Sequence, residues 1–164
     1  HSAFVYDGPL SHALQLLKWR NRDDLARPLG ALLGPLLREL AAGHDWIVPV
    51  PLHPRRLRER GYNQSTLLAR EALRLLTKPK PRLHPGLLLA TRPTTAAHRI
   101  GRTARFERVR SLFTVPRKAE VHVRGSRMLL VDDVITTGAT VTECAKTIKR
   151  AGSGPIYAVA VAKK

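Results

Sequence analysis

Asp132 and Asp133 stand side by side in the stretch RMLLVDDVITTGATVTECAKTIKRAG, residues 127 to 152. Four apolar residues, Met128 to Val131, precede them, and Thr136, Thr137, Gly138, Ala139 and Thr140 follow two residues later. Hydroxyls and a glycine ahead of a helix suit a phosphate. Gly138 lets the backbone come close to a ligand, the free N–H groups of a helix start favour an anion, and Thr136, Thr137 and Thr140 can donate beside them. Two carboxylates next to a phosphate repel it unless they serve another part of the same ligand. Carboxylates accept hydrogen bonds from paired hydroxyls, and they attract Mg²⁺ with its waters. The combination asks for a ribose 5-phosphate with vicinal hydroxyls.

The flanking residues say what must hold this turn. Met128 to Val131 form a continuous apolar run, the mark of a strand buried on both faces of a parallel sheet. Val141, Cys144, Ala145 and Ile148 fall at i, i+3, i+4 and i+7, one stripe of a helix, with Gly152 as its stop. Asp132 to Ala139 is therefore expected as the turn between a strand's carboxyl end and a helix's amino end, where open α/β sheets bind ligands. No Gly-x-x-x-x-Gly-Lys loop occurs, which excludes a Walker-type nucleotide site.

Elsewhere the chain alternates in the same way. Leu10, Ala13, Leu14 and Leu17 predict an amphipathic first helix, and a second helical stretch runs from about Asp23 to Ala42, with a break expected near Gly34-Pro35. DWIVPVPLHP reads as a strand entering a Pro-rich turn, YNQSTLLAREALRLL as a helix, GLLLATR as a strand, SLFTVP as a short extended piece and IYAVAVA as the last strand. Strands alternating with helices predict a doubly wound, mainly parallel α/β sheet in one domain over residues 1 to 164. The 164 residues and 43% hydrophobic content suit one domain with a real core. No apolar run approaches the roughly 20 residues needed to span a bilayer. A single cysteine, Cys144, on the helix stripe builds neither a disulfide framework nor a zinc site, and the expected location is cytoplasmic. His53, His84 and His98 lack metal-ligand spacing; His98 is the one placed to approach a ligand.

The net charge of +17 is unevenly spread. Residues 1 to 50 are neutral, residues 51 to 127 carry +15, and residues 128 to 164 add +2. A field confined to the middle of the sequence points to a polyanionic partner. Part of it is VPVPLHPRRLRERGYNQ, residues 48 to 64, where Arg55, Arg56, Arg58 and Arg60 follow a strand. Arginine forks at a strand's carboxyl end suit a pyrophosphate; a solvated basic turn is the alternative. A second part is TRPTTAAHRIGRTARFERVRS, with Arg92, Arg99, Arg102, Arg105 and Arg108. On a helix, the three-residue spacing from Arg99 to Arg108 sweeps about half the surface, giving either a solvated face or a nucleic-acid contact. With eight aromatic residues in the chain, an extended base-stacking platform is weakly supported.

Met128 to Thr140 resembles the phosphoribosyl pyrophosphate (PRPP) signature of type I phosphoribosyltransferases: four apolar residues, two acids, then a Thr/Gly loop. Taken with VPVPLHPRRLRERGYNQ and with the pattern of Tyr6, Gly8, Leu10, Ala13, Leu14, Leu17, Lys18 and Arg20, it resembles the ComF family of competence-associated, phosphoribosyltransferase-like proteins over nearly the whole chain. That resemblance implies a type I phosphoribosyltransferase fold and a biological association with uptake of transforming DNA. It assigns the ribose hydroxyls to Asp132 and Asp133, the 5-phosphate to Thr136, Thr137, Gly138, Ala139 and Thr140, and the pyrophosphate to Arg55, Arg56, Arg58 and Arg60. Mg²⁺ would come with PRPP and be met by Asp132, Asp133 or their waters. Residues 91 to 112 correspond to the mobile loop of such enzymes, so that Arg92, Arg99, Arg102, Arg105 and Arg108 could meet the ligand or DNA.

The sequence departs from the family pattern at several places. The cysteine-rich, zinc-binding module that usually begins family members is absent, and the chain starts at His1 without a Met, as if its natural start were missing. Ala97 replaces a Gln, and Arg105-Phe106-Glu107-Arg108 keeps the Arg of an Arg-x-x-Asn pattern without its Asn. Thr136 stands where purine-specific enzymes carry an acid, closer to orotate-type wording. Two functions follow as expectations. One is a PRPP-binding competence protein that handles incoming single-stranded DNA, with DNA-uptake proteins as partners and transfer activity to an unknown acceptor left open. The alternative is an active phosphoribosyltransferase of nucleotide metabolism or salvage.

Overall fold

The computed structural model describes residues 1 to 77, 80 to 92 and 111 to 164. In chain order the elements are β1 (Ser2–Val5), α1 (Gly8–Trp19), α2 (Ala26–Leu40), β2 (Trp46–Pro49), α3 (Pro54–Arg60), α4 (Gln64–Arg74), β3 (Arg82–Leu83), β4 (Leu89–Ala90), β5 (Phe113–Thr114), the short α5 (Glu120–Val123), β6 (Met128–Ile135), α6 (Ala139–Arg150) and β7 (Ile156–Lys163). Among the described residues the main sheet has five strands in the order β1-β7-β6-β2-β3, all parallel. Leu129 pairs with Ile47 on one side and with Tyr157 on the other, so β6 is central.

A central strand with helices on both faces must be apolar on both, and β6 is buried from Met128 to Asp133. Leu129 and Val131 enter one core with Leu14, Leu17, Leu33, Leu37 and Leu68 from α1, α2 and α4. Met128 and Leu130 enter the other with Cys144 and Ile148 of α6 and with Leu88 and Phe113 beside the β4–β5 pair. Cys144 is fully buried, and burial pushes its thiol well above the ordinary range, as a packing residue requires. Gly152, at φ +90°, follows α6 as its stop.

The predicted break at Gly34-Pro35 does not occur: α2 runs through both residues. Leu29, Leu33 and Leu37 are buried at four-residue spacing. At about 1.5–3 kcal/mol per buried side chain they outweigh the roughly 3 kcal/mol cost of an interior proline. Ala31 and Pro35 lie on the exposed face, so the carbonyl released by Pro35 meets water. The glycines instead permit close packing on α4. A Cβ on Gly30 would meet Glu71 Cβ at 2.6 Å and the Leu68 carbonyl oxygen at 3.0 Å.

One further expectation is corrected, and another lies largely beyond the described residues. GLLLATR contributes only Leu89–Ala90, paired antiparallel with Phe113–Thr114 in a separate two-stranded sheet. The apolar residues before that pair, Leu87 and Leu88, are fully buried in the second core, and burial rather than strand pairing explains the run. The sheet's edges are instead β1 and β3, neither of which has a long apolar run to mark it. The expected mobile loop lies largely outside the described residues, and with it Arg99, Arg102, Arg105 and Arg108.

Candidate functional site

The site lies at the carboxyl end of β6. Asp132 and Asp133 were expected in a turn, but the strand continues to Ile135 and places both inside the sheet, 8% and 3% exposed. Pairing with β7 carries it on, through Asp132 opposite Ala160 and Val134 opposite Ala162. Buried carboxylates need partners, and three elements supply them. Ser65 Oγ of α4 donates to Asp132 Oδ1 at 3.1 Å, and the Asp133 N–H donates to the same oxygen at 2.9 Å. Gln64 Nε2 donates to Asp133 Oδ1 at a long 3.4 Å. Lys18 Nζ, from the end of α1, forms an ion pair with Asp133 Oδ2 at 2.6 Å.

One ammonium faces two adjacent carboxylates, and they titrate as a pair. Burial and the neighbouring Asp133 charge push Asp132 up to about 8. Burial opposes ionisation of Asp133 as well, but the Lys18 ammonium and its hydrogen bond hold that carboxyl below the usual range. Lys18 is raised in turn: burial disfavours its charge, and Asp133 more than compensates. At neutral pH the pair therefore retains one proton.

The segment after α3 organises this network residue by residue. Gly61 ends α3 in the left-handed region at φ 78°. Tyr62 Oη donates to the Leu17 carbonyl, which fixes the end of α1 beside the site. Asn63 Oδ1 caps α4 by accepting from the Ser65 N–H at 2.9 Å, while its Nδ2 donates to the Val50 carbonyl at 3.0 Å and ties the helix to the end of β2. Gln64 and Ser65 then reach the two carboxylates. Arg60 Nη1 donates to Gln64 Oε1, and its guanidinium lies 5.0 Å from the ring centroid of Trp19, a cation–π contact. Trp19 is 59% exposed at the mouth of this network. Lys18, Trp19, Gln64 and Ser65 carry no chemical signal of their own in sequence. Lys18 and Gln64 were visible only as members of the quoted patterns.

Beyond β6, Thr136 is exposed, Thr137 and Thr140 are partly buried and Ala139 is buried. Gly138 caps α6 at φ 78°, where a side chain is strained, and a Cβ there would meet nothing within 4 Å. Thr137 Oγ1 accepts from the Ala139 N–H at 3.4 Å, and the Gly138 carbonyl accepts from the Thr142 N–H at 2.9 Å. The threonine loop and the carboxylates thus belong to one strand–turn–helix unit.

The four arginines of the second motif are on a helix rather than in a loop. Pro54 starts α3, and His53 caps it by accepting from the Arg55 N–H. At about 100° per residue Arg55 and Arg58 share one side of that helix and Arg56 and Arg60 another. Arg55 is bound to Glu59 at 2.9 Å, Arg58 is exposed, Arg56 is partly buried, and Arg60 alone turns inward to Gln64. The structure brings Arg60 to the carboxylates, with partly buried Arg56 one turn before it on the same face of α3, and turns Arg55 and Arg58 to the exposed side. Arg92, just after β4, is exposed. Among the described residues there is no cluster of three or more His, Cys, Asp or Glu side chains able to hold a metal, and no helix long and apolar enough to cross a membrane.

No protein-family model matches the chain. Its sequence is 35% identical over 158 residues to DNA utilization protein YhgH of Escherichia coli strain K12, covering 92% of this chain and 66% of that protein. It is 32% identical over 153 residues to Competence protein F of Haemophilus influenzae, covering 90% of this chain and 65% of that one. The chain thus spans about two thirds, or slightly less, of the length of these relatives. Its structure is similar to that of glutamine PRPP amidotransferase from B. subtilis, with a TM-score of 0.54 and 17% identity, covering 89% of this chain and 30% of the other. The sheet, its flanking helices and that likeness give the chain the type I phosphoribosyltransferase-like fold. With this fold, and with identity to both relatives along nearly its whole length, the chain belongs to the ComF family, the family of DNA utilization protein YhgH and Competence protein F.

Proposed function

We propose that the chain binds PRPP with Mg²⁺ at the carboxyl end of β6 and takes part in the handling of single-stranded DNA during DNA uptake or utilization. The observation that carries the ligand reading is the union of the buried Asp132–Asp133 pair with the Thr136–Thr140 turn on one strand–turn–helix unit, with Gly138 left-handed and open above. The relatives' names, DNA utilization protein and Competence protein F, support the DNA part.

In this reading the α6 amino end and the Thr136, Thr137 and Thr140 hydroxyls hold the 5-phosphate. Asp133 Oδ1, loosely held by Gln64 at 3.4 Å, exchanges that donor for a ribose hydroxyl. The donor set also suits a hard divalent cation: two carboxylates share one lysine, and Asp132 is left near 8 for want of a second positive charge. Mg²⁺ arriving with the diphosphate would neutralise that charge, held by Asp132 and Asp133 or their waters. Arg60 is the α3 arginine nearest the carboxylates and the best candidate for the diphosphate.

Calorimetric titration with PRPP, with and without Mg²⁺, tests the reading. Saturable binding that Mg²⁺ strengthens, and that Asp132→Asn removes, is expected. No heat of binding in either condition would refute it. A second reading, an active phosphoribosyltransferase, is favoured by Trp19, whose exposed ring beside the network could stack an acceptor base. Pyrophosphate release from PRPP in the presence of free bases distinguishes the two.

A further inference from the structure

At the opposite end of the sheet from the carboxylates, the second half of α4 and the edge strand β3 enclose a groove of about 820 Å³. Leu73 and Leu83 line it between Arg70 and Arg74 of the helix and Lys80 and Arg82 of the strand side. Four cations face it against one carboxylate, Glu71, which is bound to Arg74 at 2.8 Å. Lys80 Nζ donates to the Leu73 carbonyl at 3.0 Å, which holds its charge over the groove wall. Arg70 and Arg82 form no ion pair among the described residues.

Across the edge strand, on the other face of the sheet, Arg82 also meets an aromatic cluster. The Arg82 guanidinium lies 5.6 Å from the Trp46 ring centroid. The His84 and His122 rings stand 5.3 Å and 5.0 Å from the same indole and 5.3 Å from one another. Burial and the neighbouring His122 keep His84 below its ordinary range, so at neutral pH it is an uncharged flat ring. His122 is exposed. A cationic groove with an apolar floor, and flat rings with a guanidinium stacked on them just around the edge strand, are the elements that single-stranded nucleic acid uses: cations follow the backbone and rings accept bases without sequence preference.

We propose that this α4–β3 groove is a track for single-stranded DNA, separate from the carboxylate site. The proposal rests on the DNA part of the function above and gives it a location on described residues. A peptide adding to the edge of the sheet fits less well, because β3 is two residues long and offers almost no ladder. A duplex would leave the apolar floor and the rings unused, since its bases are stacked inside.

The test is fluorescence anisotropy of labelled oligo-dT on the full chain and on the Arg70→Ser, Arg82→Ser double variant, between about 50 and 200 mM salt. Each lost phosphate contact on a single strand lowers the slope of log K against log salt by about 0.7, so the pair should flatten it by about 1.4. PRPP calorimetry on the double variant should match the parent, since the groove is at the far end of α4, and melting curves confirm that the variant is folded. A bromodeoxyuridine oligonucleotide cross-linked by light should mark the peptide containing Trp46 or that containing residues 80 to 92. An unchanged slope in a folded variant, cross-links confined to other segments, or displacement of oligo-dT by polyglutamate at equal charge would each overturn the groove as a DNA track. Should the parent itself fail to bind oligo-dT at about 50 mM salt, the DNA part of the function falls with it, while PRPP binding is judged by its own titration.

Discussion

Replacing Asp132 with Asn should change how stability responds to pH. The folded protein holds Asp132 at about 8, against an ordinary value of 3.8, because it is buried beside ionised Asp133. Between those two values the folded state keeps a proton that the unfolded chain has released, so the stability of the parent falls as pH rises through this window. Each unit of that window amounts to about 1.4 kcal/mol at most. From pH 5.5 to 8 the penalty is therefore of the order of 3 kcal/mol. For a domain of this size that corresponds to roughly 6–12 °C in Tm. Asn keeps an oxygen for Ser65 Oγ and the Asp133 N–H, removes the second charge and abolishes the penalty. Thermal melts of parent and variant at pH 5.5 and 8.5, in buffers of equal ionic strength, read the effect directly. The variant should gain on the parent at both pH values, because about 2 kcal/mol of the penalty has already accrued by pH 5.5, and its gain should be larger at pH 8.5 by a further 6–12 °C or roughly so. An equal difference at both pH values would refute the shared-proton description, and Asp132 would then be an ordinary ionised carboxylate.

The same network and fold carry three further expectations. Lys18→Met leaves Asp133 buried without its cation; discounted for the partial exposure of Lys18, the loss is about 2 kcal/mol at pH 7 by urea denaturation. Because Lys18 is raised, that contribution is present below its ordinary 10.5 and fades only as pH climbs through the folded value, so variant and parent should converge in strong alkali. Gly138→Val should weaken ribose 5-phosphate and PRPP alike, measured calorimetrically, through strain at φ 78° rather than through a clash, and Gly138→Ala should do so to a lesser degree. Gly30→Ala, whose Cβ would lie 2.6 Å from Glu71 Cβ, should cost about 1–3 kcal/mol in urea denaturation with ligand affinity unchanged, because it separates α2 from α4 without touching the carboxylate end of α4.

The sequence by itself determined the elements whose signals are local. The apolar run of β6, the stripe of α6, the glycine at the turn and the alternation of strands with helices need only neighbours in the chain to be legible, and the parallel sheet follows from them. Asp132, Asp133 and residues 136 to 140 were legible for the same reason, since all lie within one short strand–turn–helix unit. Tertiary structure decided what surrounds them. Lys18 meets Asp133 from 115 positions away and Ser65 meets Asp132 across 67, contacts that no spacing rule encodes. The same holds for the edges of the sheet: β1 and β3 are short and weakly apolar, and they are strands because β7 and β2 offer them hydrogen bonds. Arg55 to Arg60 read as one cluster along the chain, yet helical rotation turns Arg60 toward Gln64 and Trp19, keeps Arg56 on the same face and leaves Arg55 and Arg58 outward. The proton shared by the acidic pair has the same origin, because residue type sets a carboxylate's ordinary affinity for a proton, whereas burial and the placement of one distant lysine set its affinity here.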